Sequence, residues 1–130
     1  MQHTDIASRA LKYARKNGAE EASIKLSTGN GFSVVSQNQV IDLVEQFNDQ
    51  SFSISVYIDK AIGSASTNDF SEVQIHATID KALSLSRLTE KDDCNGLAEK
   101  ELMATEIKDL DLYQPSDLSI EKAKEMALQC

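Results

Sequence analysis

Two histidines, His3 and His76, are the only imidazoles in the 130 residues, and they bound the metal chemistry open to the chain. A catalytic zinc normally takes about three protein ligands held on rigid elements. His76 is followed four residues later by Asp80, a spacing that puts both on one side of a helix and allows a two-ligand metal contact. No H-E-x-x-H or similar pair accompanies them, and spacing of this kind is generic on helices. A surface or partly buried helical histidine is the plainer reading. No catalytic, cofactor-binding or metal residue is assigned in this segment.

The other chemistry-bearing residues also read as structure. Gly29-Asn30-Gly31 is a lone G-x-G with no Lys after it. A phosphate cradle needs a helix N-terminus behind its loop, so a hairpin turn is expected instead. Asp109-Leu110-Asp111 begins like a calcium loop but lacks the required Gly and the distal Glu. No serine sits in G-x-S-x-G, and two histidines leave little material for a triad. Cys94 follows Asp92 and Asp93, and negative neighbours disfavour a thiolate nucleophile. Gly63 to Ser71 is rich in small hydroxyl residues before a helix start, where free backbone N–H groups could hold an anion or a peptide end. Asn68, Asp69 and Ser71 are expected to satisfy those groups themselves as caps.

Composition narrows the function classes. Net charge is −8, apolar residues are 41% and aromatics 5%, with no Trp. Residues 1–65 carry seven acids and six bases, and residues 66–130 carry fourteen acids and seven bases. An acidic half repels a phosphate backbone, and sparse aromatics offer no stacking platform, so direct nucleic-acid binding is not expected. Cys94 and Cys130 lie far apart without partners at metal-ligand spacing, which suits reduced thiols in the cytoplasm. The start Met1-Gln2-His3-Thr4-Asp5 has no signal-peptide pattern, and no apolar run is long enough to span a membrane.

The elements that must position these residues are legible in part. Thr4 or Asp5 can cap a helix with Ile6, Ala10, Leu11 and Ala14 at helical spacing, stopped by Asn17-Gly18. Ala22, Ile24 and Leu26 then alternate, Thr28 to Gly31 reads as a turn, and Phe32 to Ser36 returns. Gln37-Asn38-Gln39 and Asn48-Asp49-Gln50 read as further turns around a strand from Val40 to about Phe47. Phe52, Ile54, Val56 and Ile58 share one face of the next strand, with Ser53, Ser55 and Tyr57 on the other. It turns at Asp59-Lys60 into a strand through Gly63-Ser64-Ala65-Ser66. Ser71 and Gln74 form a capping-box pattern for a helix to about Arg87, with Val73, Ala77, Ala82 and Leu83 among its apolar positions.

The expected fold is α+β: an antiparallel meander of four to five strands with helices packed on one face, plus a C-terminal extension. Residues 1–88 read as the α+β sandwich and 89–117 as an irregular connection. That connection holds a short helix near Ala98 to Ala104 and an extended Leu110 to Tyr113 stopped by Pro115. Residues 118–130 read as the start of a helix, opened by Ser119 and carrying no stop signal, that would lead to an absent C-terminal part.

Several segments together resemble the TldD/PmbA family, the modulators of DNA gyrase now regarded as metallopeptidase-related. They include Ala10 to Tyr13, Asn17-Gly18-Ala19, Phe32-Ser33-Val34, Ser55-Val56-Tyr57 and Gly63 to Ser71. Lys81-Ala82-Leu83, Lys100-Glu101-Leu102 and Asp109 to Tyr113 continue the likeness. The pieces Gly63 to Ser71 and Asp109 to Tyr113 are similar to the PmbA (TldE) branch. The resemblance implies an N-terminal domain of a PmbA-like subunit, paired with a TldD-like catalytic subunit around a chamber that admits unfolded peptide. Zinc is then expected only in the TldD-like partner, whose H-E-x-x-x-H motif has no counterpart here. The implied role is a cytoplasmic scaffold in intracellular peptide proteolysis or maturation, inactive by itself. Read without the resemblance, the residues also allow a free-standing peptide- or protein-interaction module that uses a sheet edge.

Overall fold

The computed structural model describes residues 3–112 and 116–130. The expected ends of two readings, the start at Met1-Gln2 and the stop at Tyr113 to Pro115, lie outside the described residues. The elements in order are α1 (His3–Lys16), β1 (Glu21–Gln37), β2 (Val40–Ile58), β3 (Ala61–Thr67), α2 (Glu72–Ser86), a single 3-10 turn (Lys100–Leu102) and α3 (Ile120–Gln129).

Helix α1 forms because Ile6, Ala10 and Ala14 recur every fourth residue and all three are buried. It begins at His3, so Thr4 and Asp5 lie inside its first turn rather than before it. Its end is the one expected. Gly18 takes φ +104°, the Ala19 N–H donates to the Ala14 carbonyl at 3.0 Å, and the Gly18 N–H donates to the Arg15 carbonyl at 3.2 Å. This pair of bonds satisfies carbonyls that the last turn would otherwise leave open.

The sheet has three strands in the order β1-β2-β3, fewer and longer than the four or five expected. Two tight turns join them, at Asn38-Gln39 and Asp59-Lys60, and all four residues take positive φ between 50° and 65°. That geometry matches the twist of antiparallel neighbours. The turns expected at Thr28 to Gly31 and at Asn48 to Gln50 do not form, since β1 and β2 run straight through both stretches. Counting outward from Asn38-Gln39 sets Thr28-Gly29 opposite Asn48-Asp49, so the two stretches overlap across the ladder and pairing along it keeps both extended. The ring of Phe47 also occupies the space beside Gly31, where an added Cβ would fall 2.6 Å from its Cζ.

The molecule divides into two compact units. The first comprises residues 1–28 and 49–102, and the second residues 29–48 and 103–130. In the first, β2 and β3 pair antiparallel from Phe52↔Thr67 to Ile58↔Ala61. Phe52, Ile54 and Val56 turn their side chains to the helices and are essentially inaccessible to water. Each contributes about 1.5–3 kcal/mol by burial. They pack with Ile6, Ala10 and Ala14 of α1 and Ile75, Ile79, Ala82 and Leu83 of α2, so both helices cover one face as expected.

Helix α2 buries two of the four apolar positions read from the sequence, Ala82 and Leu83, and exposes the other two. Val73 is 74% exposed and Ala77 is exposed, whereas Ile75, Thr78, Ile79 and Ser86 are buried. The reason lies in β3. Gly63 has no side chain, and α2 sits so close there that a Cβ would overlap the Ala82 carbonyl oxygen and the Ser86 amide nitrogen. This contact pins the Ala82–Ser86 side of the helix downward, and the Ser86 hydroxyl is satisfied by donating to the Leu83 carbonyl at 2.9 Å.

The second unit holds the far part of the β1-β2 hairpin and α3. Ser119 caps α3, its hydroxyl accepting from the Lys122 N–H at 3.2 Å, as expected from sequence. The Ser36 hydroxyl donates to the Ala127 carbonyl at 2.6 Å and ties the hairpin to this helix. The helix expected between Ala98 and Ala104 is only the 3-10 turn, and residues 110–112 carry no regular structure.

Candidate functional site

The densest meeting of polar side chains in the first unit is the seam between α1 and α2. Arg9 and Tyr13 stand four residues apart on α1, and Glu72, His76 and Asp80 stand at the same interval on α2. Residues four apart share a helix face, so the two rows mesh. Arg9 meets Glu72 at 3.5 Å. Tyr13 stacks on His76 with ring centroids 3.8 Å apart and planes within 8°. Its hydroxyl lies 3.2 Å from one Asp80 carboxylate oxygen and 3.3 Å from the other, donating to that group.

Partial loss of hydration, then the Asp80 charge, then the hydrogen bond to it raise the Tyr13 phenol above its ordinary pKa. The His76 Nε2 lies 4.0 Å from Glu72 Oε1, an ion pair only when the imidazole is protonated. Beside this seam Ile6, Arg9, Phe70, Glu72 and Ile75 line a small cleft of about 20 Å³ that opens to solvent. The His3 ring meets Phe70 edge-on at a centroid distance of 6.2 Å.

This geometry redirects the one metal-like pair in the sequence. His76 and Asp80 do share a helix face, but Tyr13 engages both of them. Among the described residues no three His, Cys, Asp or Glu side chains converge on a common point. Tyr13, Arg9 and Glu72 were not legible as a group from sequence. Their signal was the four-residue spacing on two helices, which means something only once the helices are known to be neighbours.

The remaining motifs serve local structure. Gly29-Asn30-Gly31 lies within β1 and opens onto no helix. Asp109 Oδ1 accepts from the Asp111 N–H at 2.9 Å, and Asp111 takes φ 49°, so this carboxylate builds a turn. Cys94 is an exposed thiol whose own N–H donates to Asp92 Oδ1 at 2.9 Å. That loop is fastened to the β2-β3 turn. Asp92 N–H and Asn95 Nδ2 both donate to the Lys60 carbonyl at 3.1 Å, and Lys91 pairs with Asp59.

Gly63 to Ser71 carries capping chemistry, and of the three side chains expected to supply it Asp69 does so. Ser71 holds the N-cap position of α2 but its side chain makes no cap bond, so the capping box with Gln74 is not formed. Instead Asp69 Oδ1 accepts from the Ser71 N–H at 2.8 Å, and Thr67 Oγ1 accepts from the Asp69 N–H at 3.1 Å. The Asn68 carbonyl accepts from Gln50 Nε2 at 2.7 Å. On the sheet face away from the helices, the hydroxyls of Ser55 and Ser64 meet at 2.8 Å. β3 is the last strand in the sheet and, among the described residues, pairs with β2 alone. No helix among the described residues is long and apolar enough to cross a membrane.

Residues 22–87 match the family described as PmbA/TldA metallopeptidase domain 1. The chain is 43% identical over 120 residues to the Metalloprotease PmbA homolog of Haemophilus influenzae, covering 92% of this chain and 26% of that protein. It is 38% identical over 125 residues to Metalloprotease PmbA of Escherichia coli O157:H7, covering 95% and 27%. A crystal structure of a candidate modulator of DNA gyrase from Bacteroides thetaiotaomicron superposes with a TM-score of 0.73 and 26% identity, over 82% of this chain and 24% of that one. The chain thus spans about a quarter of the length of the curated relatives it matches. The match over half the chain, on the strands and helix that build its core, shows that the protein belongs to the PmbA/TldD metallopeptidase family and carries its first domain.

Proposed function

We propose that this chain is the scaffold and substrate-chamber domain of a PmbA-like subunit in a TldD/PmbA-type complex of the cytoplasm. In this reading the complex degrades or matures peptides, a TldD-like partner supplies the zinc chemistry, and this domain is non-catalytic alone. The observation that carries the reading is the engagement of His76 and Asp80 with Tyr13 at the solvent-facing seam of the two helices that cover the sheet. The one pair with metal-ligand spacing works as a helix fastener, which suits a wall rather than a reaction centre. The open edge of β3 gives that wall a means of guiding unfolded peptide, since an extended chain can add to a strand through main-chain hydrogen bonds.

The test is direct. The purified chain is analysed for bound zinc by elemental analysis and incubated with an unfolded peptide followed by mass spectrometry. No stoichiometric zinc and no cleavage are expected. Either one, abolished by His76→Ala, would overturn the reading.

A further inference from the structure

Among its described residues the second unit has no buried core of its own. Not one described residue of 29–48 or 103–130 is buried, although these stretches are rich in large apolar side chains. On the hairpin Val35, Leu43, Val44 and Phe47 are 40–48% exposed, and on α3 Met126 and Leu128 are 51% and 43% exposed. In the connecting segment Ile107 is 94% and Leu112 83% exposed. Scattered exposed apolar residues are ordinary, but a whole compact unit without a buried side chain marks a surface made to be covered.

From this we infer that the second unit is a docking surface for the further domains of a PmbA-type polypeptide, rather than for a second copy of this chain. Two observations select that occupant. The relatives extend about three times further than the region matched here, so the family supplies ample polypeptide to cover the surface. The unit also carries eight acids against three bases, a net charge of −5. Two copies placed face to face would set like charge against like, and an anionic lipid surface would be repelled in the same way. A surface complementary to this unit would be apolar at its centre and basic at its rim. This inference rests on the first-domain reading, and the zinc and cleavage assays above test that reading separately.

The experiment compares hydrogen exchange in the 130-residue chain and in the intact Haemophilus influenzae relative. Amides of the hairpin and α3 should exchange ~100-fold or more faster in the short chain than at the aligned positions of the intact protein, because local opening is unopposed there. Equal rates would overturn the inference. In the intact relative, glutamate at the positions aligned with Leu43 and Phe47 should lower hairpin protection tenfold or more while the β3 and α2 amides keep theirs. Unchanged hairpin protection overturns the inference even if the short chain does not fold alone. Light scattering gives the competing outcome: a dimer of the short chain dissociated by Phe47→Glu would assign the surface to a second copy.

Discussion

Gly63 on β3 lies directly beneath the carbonyl of Ala82 on α2, at a separation that leaves no room for a Cβ. The nearest atoms are helix backbone, and the Ser86 Cα would lie 3.0 Å from the added carbon. Such atoms cannot swing aside as a side-chain tip can. The whole helix must rise off the sheet, opening the contacts of Ile79 and Leu83 with it.

Gly63→Ala should therefore cost about 3 kcal/mol, the upper end of overpacking effects. Gly29→Ala meets nothing within 4 Å, and Gly31→Ala meets only the half-exposed ring of Phe47. Those two should change stability by less than about 1 kcal/mol, with Gly29→Ala the more favourable because it restricts the unfolded chain. Urea midpoints of the three variants check the order. An unchanged midpoint for Gly63→Ala would show that α2 is not pinned at β3.

At the start of α2, the assignment of the capping role to Asp69 separates two variants. Asp69→Ala removes the acceptor of the Ser71 N–H and should cost about 1 kcal/mol. Ser71→Ala removes a hydroxyl that makes no cap bond and should cost only a few tenths of that. Thermal melts of both variants decide it, and a larger loss for Ser71→Ala would restore the capping box.

Tyr13 makes the helix seam sensitive to alkaline pH. Its folded phenol titrates above its ordinary value of 10.0, so folding favours the protonated form. That stabilisation is fully present below the unfolded pKa and is lost as pH rises through the folded one. The wild-type chain should lose stability relative to Tyr13→Phe on going from neutral pH to above 10, because the variant has no phenol to ionise. Denaturation series at several alkaline pH values check this, and a difference that stays constant would show that the fold does not raise the phenol.

The β1-β2 turn places Gln39 at φ 62°, a conformation that costs an L side chain about 1–2 kcal/mol. Gln39→Gly creates the Asn-Gly pair that such two-residue turns favour. Stability of the hairpin should rise by up to about 1 kcal/mol, read as slower hydrogen exchange at Gln37 and Val40. No change would mean that the turn is not set by its two central residues.

Elements whose geometry closes within a few residues were readable from the order of residues alone. The end of α1 at Asn17-Gly18 and the start of α3 at Ser119 follow from hydrogen bonds spanning at most five positions, and the turns at Asn38-Gln39 and Asp59-Lys60 from two central residues at positive φ. The family, too, was legible from the order of short segments. Whether Thr28 to Gly31 turns or stays extended, which of the apolar positions of α2 are buried, and what His76 does were settled by contacts between distant parts of the chain. Each of those depends on a partner distant in the chain: β2 across the ladder, Gly63 beneath the helix, Tyr13 on its neighbour. A local turn or ligand signal is worth about as much as one hydrogen bond, and packing against such partners outweighs it.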